Sequence, residues 1–203
     1  MELSTFLYFL LTSMLLTIAP GPDILYLLTK SLSEGAKSGI ILACGLVSGI
    51  VFHTTLVMIG VAALIQSSPA ALTILKYVGA TYLISLAIGA FKSSETLQLG
   101  RADSSKNFSA LYRRGLMMNV LNPKVLLFFL AFLPQFLSND SSSLQILFLG
   151  AVFALQALII FSIVSFCAGR LRKFIIKNKN LGKFFGRIEG SVLTLIALAL
   201  IIS

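Results

Sequence analysis

Long apolar stretches dominate the chain, and the polar residues collect between them. A helix needs about 20 mainly apolar residues to cross the hydrocarbon core of a bilayer. Six stretches reach or approach that length, at residues 3–29, 38–66, 69–92, 114–136, 144–168 and 188–203. The pattern predicts an all-α polytopic membrane protein with six transmembrane helices, of which the last is short.

Two of these predicted spans contain residues that interrupt a helix. The first span carries Pro20-Gly21-Pro22-Asp23 and the fourth carries Asn122-Pro123-Lys124. In each motif a residue suited to the N-cap precedes a proline suited to the first helical position, so we expect broken helices that restart within the membrane. Irregular backbone at that depth is stable only where it faces protein or a wet cavity. The alternative is that the prolines only kink the two helices for packing.

The positions of the two breaks predict an internal repeat. They fall in the first and fourth spans, so residues 1–92 and residues 114–203 form two three-helix repeats joined by a linker at 93–113. Because three is an odd number, the second repeat enters the membrane from the opposite face, which is the arrangement of a 3+3 inverted repeat. A binding site is then expected at the centre, between the two breaks.

Composition and charge support a membrane protein and predict its orientation. Only 11% of residues are charged, against about 25% in soluble domains, and the net charge is +9. Excess Lys and Arg mark cytoplasmic connections. If the connections between spans are numbered 1 to 5, the basic residues fall in connections 1, 3 and 5. They are Lys30 and Lys37; Lys92, Arg101, Lys106, Arg113 and Arg114; and Arg170, Arg172, Lys173, Lys177, Lys179, Lys183 and Arg187.

We therefore expect connections 1, 3 and 5 in the cytoplasm, both termini outside, and the chain in the inner or plasma membrane. Topology explains the positive charge, so no nucleic-acid partner is expected. The two remaining basic residues, Lys76 and Lys124, lie within spans. Glycines at 35 and 39, at 45 and 49, and at 182, 186 and 190 permit close helix approach within the chain or between subunits of a homo-oligomer.

Asp23 and Lys124 are the candidate binding residues, because a charged side chain in the membrane costs at least ~2.5 to 3.5 kcal/mol on insertion scales. Asp23 is predicted to bind a substrate ammonium group or to carry a proton, and the alternative is a first-turn residue stabilised by the helix dipole. Lys124 is predicted to bind a carboxylate or to pair with Asp23, and the alternative is that it snorkels to the cytoplasmic surface.

Other polar groups near the breaks are candidates as well. The backbone N–H groups at the restarts, around Gly21-Pro22 and Asn122-Pro123, suit a carboxylate. His53 is predicted to handle protons or to be a hydrogen-bonded interior residue. Asn119 and Gln156 either line a cavity or join helices. Glu189, beside Arg187 at the inner end of the last span, is expected to be an interfacial ion-pairing residue.

The sequence contains no set of residues that indicates a metal, a cofactor or an enzyme. Cys44 and Cys167 are far apart in sequence and lie in apolar segments, and no second His or Cys stands at ligand spacing from His53. No Ser, His and acid arrangement is evident. We therefore expect no metal site and no cofactor, and we expect that the protein is not an enzyme.

The ordered set of motifs resembles the LysE/RhtB family of amino-acid exporters, which is named for lysine export and for resistance to homoserine and threonine. The residues are Pro20-Gly21-Pro22-Asp23, Gly45 and Gly49 before His53, Lys76-x-x-Gly79-Ala80-x-Tyr82-Leu83, Asn122-Pro123-Lys124 and Leu133-Pro134-Gln135-Phe136. The resemblance implies a six-helix exporter that moves amino acids or close derivatives out of the cytoplasm, driven by proton antiport. Two alternatives remain open: a transporter of a metal ion or another cation, and a membrane thiol or electron carrier using Cys44 and Cys167.

Overall fold

The structure, a computed structural model, describes residues 1–67, 69–92, 107–137, 143–177 and 181–202. Most of the predicted linker, at 93–106, lies outside the described residues together with its Arg101 and Lys106. So do Lys179, Ser203 and the side chains of Arg170, Arg172, Lys173 and Lys177. Of the seven basic residues predicted in connection 5, only Lys183 and Arg187 have side chains that the structure describes.

Within the described ranges the chain is helical and contains no strand, so the all-α prediction is confirmed. The helices are α1 Leu3–Ile18, α2 Pro22–Glu34, α3 Ala36–Ser67, α4 Pro69–Lys92, α5 Phe108–Val120, α6 Pro123–Leu127, α7 Ser143–Lys177 and α8 Leu181–Ile202. A π-helical turn at Phe128–Phe132 and a 3-10 turn at Leu133–Phe136 continue α6 without a gap.

Four helices of the described chain are long and apolar enough to cross a membrane. Their apolar parts are Ala36–Gly60, Thr73–Lys92, Ser143–Ala168 and Gly182–Ile202. Two further helix pairs pass the same test together but are bent, α1 with α2 by 57° and α5 with Pro123–Phe136 by 47°. By length and composition there are four candidate spans, or up to six if each bent pair is one span.

Four helix ends lie several residues beyond the predicted spans. Helix α2 runs to Glu34 instead of residue 29, and α7 runs to Lys177 instead of 168. Helix α5 begins at Phe108 instead of 114, and α8 begins at Leu181 instead of 188. Two of these ends are set by local caps, which hydropathy does not measure. Gly35 ends α2 at a φ of 93°, and Asn107 caps α5 by accepting from the backbone N–H of Ala110 at 3.0 Å.

The two bends arise from proline and its neighbours. Pro20 restricts Ala19 to an extended conformation (ψ 117°), which ends α1, and Pro22 then occupies the first turn of α2 after an extended Gly21. At the second bend Asn122 is extended (ψ 109°) and Pro123 opens α6. Both restarts thus occur at the residues that the sequence predicted.

Helix packing buries most residues of the two bends, although Pro22 and Pro123 are exposed. Helix α3 packs against α5 and α7, and α4 packs along α8. The buried core contains Phe9 of α1, Leu46 of α3, and Phe128, Phe129 and Phe132 of the π-helical turn. Large apolar side chains also cover the outside of the bundle, among them Leu7, Leu11, Val51, Ile159 and Leu195. Such a surface suits contact with lipid.

Candidate functional site

The two bends lie side by side, and side chains of the second reach the first. Asn122 Nδ2 donates a hydrogen bond to Asp23 Oδ2 at 2.7 Å. The ammonium group of Lys124 donates to the carbonyl oxygen of Ala19 at 3.0 Å. Asp23, Asn122 and Lys124 are all buried. The structure therefore brings together three of the site residues named from the sequence.

Asn122 joins the two charged residues with a single amide. Its Nδ2 group donates to the Asp23 carboxylate, while its Oδ1 accepts from the backbone N–H of Lys124 at 3.0 Å and so caps α6. A hydrogen bond to a carboxylate is stronger than one between neutral groups. The capping residue of one helix restart thereby fixes the acid of the other.

The Lys124 ammonium group occupies the carboxyl end of α1. The last carbonyl groups of a helix have no partner within it and carry a partial negative charge. Lys124 binds one of them at Ala19 and also interacts electrostatically with the carboxylates of Glu189 and Asp23. Its side chain is therefore buried, whereas the snorkelling alternative requires the ammonium group to reach the protein surface.

A small cavity adjoins these groups. The polar residues of its wall are Thr17, Asp23, Asn119 and Lys124, and apolar side chains from α1, α3 and α7 supply most of the remainder. Its interior measures about 20 Å³, which is room for roughly one water molecule. Of the other residues predicted for the site, Gly21, Pro22, Asn122 and Pro123 do not line this cavity. Gly21 and Asn122 are buried, whereas Pro22 and Pro123 are exposed.

His53 lies behind Asn119, outside the wall of the cavity. Its Nε2–H donates to the Asn119 carbonyl oxygen at 3.0 Å, and its ring is fully buried with the Phe52 and Phe129 rings each 5.7 Å away. Within the described part of the chain, His53 Nδ1 and Asn119 Oδ1 have no hydrogen-bond partner. His53 thus holds the carboxyl end of α5, as a hydrogen-bonded interior residue would.

Gln156 connects α7 to α1. Its Nε2 donates to Thr17 Oγ1 at 2.9 Å and to the Ser13 carbonyl oxygen at 3.4 Å. Thr17 in turn lines the cavity. Gln156 therefore reaches the cavity wall through Thr17 and serves as a helix-to-helix contact in this structure.

Sequence analysis missed Glu189 as a neighbour of the site. A Cβ atom built on Gly21 would lie 2.9 Å from Glu189 Oε1 and 2.8 Å from Lys124 Nζ. Both charged groups therefore lie against the same glycine backbone. Interfacial ion pairing of Glu189 beside Arg187 stays a prediction. Residues two apart on a helix do not face each other, and Arg187 is exposed whereas Glu189 is partly buried. The position of Glu189 beside Gly21 depends on how α8 packs against the first bend, which the sequence alone does not record.

The described residues contain no group of three or more His, Cys, Asp or Glu side chains that could hold a metal ion. Cys44 on α3 is exposed, Cys167 on α7 is partly exposed, and both are free thiols.

Comparison with known proteins identifies relatives along most of the chain. The LysE type translocator family matches residues 14–203. A homoserine/homoserine lactone efflux protein of Salmonella typhimurium is 31% identical over 195 residues, covering 94% of this chain and 95% of the relative. A leucine efflux protein of the same organism is 32% identical over 161 residues, covering 78% and 73%.

The membrane protein YrhP of Bacillus subtilis, whose function is uncharacterized, is 29% identical over 189 residues, covering 88% of this chain and 90% of the relative. No solved structure matches the chain. The family match confirms the resemblance drawn from the motifs and supports a transporter over an enzyme: this chain belongs to the LysE type translocator family.

Proposed function

We propose that this protein exports amino acids or close derivatives from the cytoplasm. The observation that carries the proposal is the placement of a buried acid and a buried base, Asp23 and Lys124, at two adjoining helix restarts beside a cavity. The named relatives, which are efflux proteins for homoserine, homoserine lactone and leucine, support the substrate class.

The chemistry of the site suits a zwitterion. The ammonium group of an amino acid would take the place of the Asn122 amide at Asp23, and its carboxylate would take the place of the Ala19 carbonyl at Lys124. Each exchange replaces a hydrogen bond to a neutral group with one between opposite charges, which is the stronger kind. The N-cap of α2 is Gly21, so no side chain accepts from the first backbone N–H groups of this helix. These N–H groups favour binding of a carboxylate nearby.

Transport requires the two bends to separate. A cavity with room for about one water is too small for an amino acid. Because Asn122 and Lys124 hold the bends together, a substrate that competes for Asp23 and Lys124 also loosens the contact between them. Binding and opening are thereby coupled through the same hydrogen bonds.

We further propose that each bent pair is one broken span, which gives six spans in a 3+3 inverted repeat. The packing of α3 on α7 and of α4 on α8 supports this, since these would be the second and third spans of the two repeats. Connections 1, 3 and 5 are then cytoplasmic, as the distribution of basic residues predicts.

Proton antiport follows most simply from Asp23. A proton and a substrate ammonium group would compete for one carboxylate, so the site releases its substrate as it accepts a proton. His53 is a second candidate for proton binding, because its Nδ1 has no hydrogen-bond partner among the described residues.

The test is efflux of radiolabelled threonine, homoserine, leucine and lysine from preloaded proteoliposomes, with and without an imposed pH gradient. We expect Asp23→Asn to lower efflux about a hundredfold, because truncating one partner of a desolvated charged contact costs on the order of 2 to 5 kcal/mol of binding free energy. The asparagine oxygen still accepts from Asn122, so the variant stays folded. Full efflux by Asp23→Asn would remove Asp23 from the mechanism. No efflux of any amino acid by the wild type would contradict the proposed function.

A further inference from the structure

We propose that Glu189 on α8 is the third charged residue of the substrate site, where its carboxylate holds the Lys124 ammonium group until a substrate carboxylate displaces it. The proposal rests on the proposed function and concerns a residue outside both bends. Glu189 is a positioning residue in this scheme, because it acts through Lys124.

The placement of Glu189 follows from the packing of α8. A Cβ built on the adjacent Gly190 would lie 2.8 Å from the Phe91 ring, so α8 lies closely against α4 at this point. That contact fixes the helix and directs the Glu189 carboxylate to the backbone of Gly21, where the Lys124 ammonium group also lies. The absence of a side chain at Gly21 leaves space for both charged groups.

The charges at the site require such a residue. Lys124 is buried, and a buried ammonium group needs an opposite charge with good geometry. Asp23 is already held by the Asn122 amide. Glu189 is the other carboxylate with which Lys124 interacts electrostatically, and its interaction is stronger than that of Asp23. A substrate that binds Asp23 through its ammonium group must therefore compete with Glu189 for Lys124 through its carboxylate.

This competition has a kinetic consequence. Glu189 weakens substrate binding, because its carboxylate must give up Lys124, and it speeds release, because it takes Lys124 back. Glu189→Gln retains the shape of the side chain but removes the competing charge. A residue with a purely structural role would instead reduce the amount of folded transporter and leave the KM unchanged.

The experiment compares wild type, Glu189→Gln and Glu189→Asp in proteoliposome efflux, using an amino acid from the panel that the wild type exports. We expect Glu189→Gln to lower the KM about tenfold and to lower the maximal rate per folded transporter, and Glu189→Asp to lie nearer the wild type. Glu34→Gln is the matched control, since Glu34 pairs with Lys30 on α2, away from both bends. We expect it to leave the KM and the rate unchanged.

A second measurement identifies the group that competes. The thermal stabilisation of purified protein by leucine is compared with that by leucinol, which has the ammonium group but lacks the carboxylate. We expect Glu189→Gln to increase the thermal stabilisation by leucine and to leave that by leucinol unchanged. An unchanged KM, or an equal change for both compounds, would overturn the role of Glu189 while leaving the proposed function intact. Failure of the wild type to export any amino acid would instead overturn the proposed function.

Discussion

At the scale of the residue, the site consists of charges whose partners come from other helices. Asp23 is held by Asn122, and Lys124 is held by Ala19. The sequence indicated Asp23 and Lys124 because isolated charges within apolar spans are costly and need a function or a partner. It did not indicate Glu189, because its relation to Gly21 depends on how α8 packs, and no pattern within one helix records that.

A methyl group added at Gly21 should lower transport without affecting the fold. Its φ of −87° and ψ of −174° are open to any residue, so alanine adds no backbone strain. The new Cβ would meet the ends of the flexible Lys124 and Glu189 side chains, which can move aside. We expect Gly21→Ala to lower efflux about tenfold or more, equivalent to at least ~1.4 kcal/mol, with little change in the melting temperature.

Gly89 on α4 provides the matched control for that substitution. A Cβ at Gly89 would meet nothing within 4 Å. Alanine favours a helix over glycine by up to about 1 kcal/mol, so Gly89→Ala should leave efflux unchanged and raise the melting temperature slightly. If Gly21→Ala exports at the wild-type rate, the position of the Lys124 and Glu189 charged groups at this glycine is unimportant for transport.

At the scale of the element, the sequence predicted where the chain bends more closely than where the helices end. Proline, glycine and asparagine act on their own backbone and their neighbours, so Pro20, Pro22 and Asn122 mark the bends directly. Hydropathy instead measures where a helix can meet lipid, and α2, α5, α7 and α8 continue past those limits. The π-helical turn at Phe128–Phe132 was not predicted, although Pro134 disturbs helical hydrogen bonding directly after it.

Helices α3 and α5 cross closely enough that a methyl group should destabilise the crossing. A Cβ on Gly115 would lie 3.0 Å from the backbone nitrogen of Leu46 and closer still to the carbonyl oxygen of Leu42. Backbone atoms cannot turn aside as side chains can. We expect Gly115→Ala to lower the free energy of unfolding by about 1 to 3 kcal/mol, the usual cost of overpacking, measured as a lower melting temperature in detergent.

The contrast between Gly115 and Gly21 makes this prediction specific. Gly115→Ala should lower stability and thereby the amount of folded transporter, while the KM of the surviving protein stays that of the wild type. Gly89→Ala again serves as the control in the same assay. An unchanged melting temperature for Gly115→Ala would mean that α3 and α5 can move apart without cost.

At the scale of the whole molecule, the distribution of basic residues makes a prediction about orientation. Thiol labelling with a membrane-impermeant maleimide tests it in a Cys44→Ser, Cys167→Ser background. Leu3→Cys, at an exposed amino terminus, should react in right-side-out vesicles. Ser109→Cys, at the exposed start of α5, should react in inside-out vesicles.

The reverse labelling pattern would contradict the predicted topology. The same cysteine-free background also tests the alternative of a thiol or electron carrier, because both free thiols are removed. We expect its efflux to equal that of the wild type, and a complete loss would favour a thiol or electron carrier.

The hydrogen bond between Asn122 and Asp23 joins residues 99 positions apart in the chain. During synthesis, therefore, the acid is made long before the amide that satisfies it. The lysine that binds the end of α1 also comes from the second half of the chain. The amino-terminal half emerges from the ribosome with an acid whose partner it does not itself contain, so the carboxyl-terminal half completes the fold of the first as it is inserted.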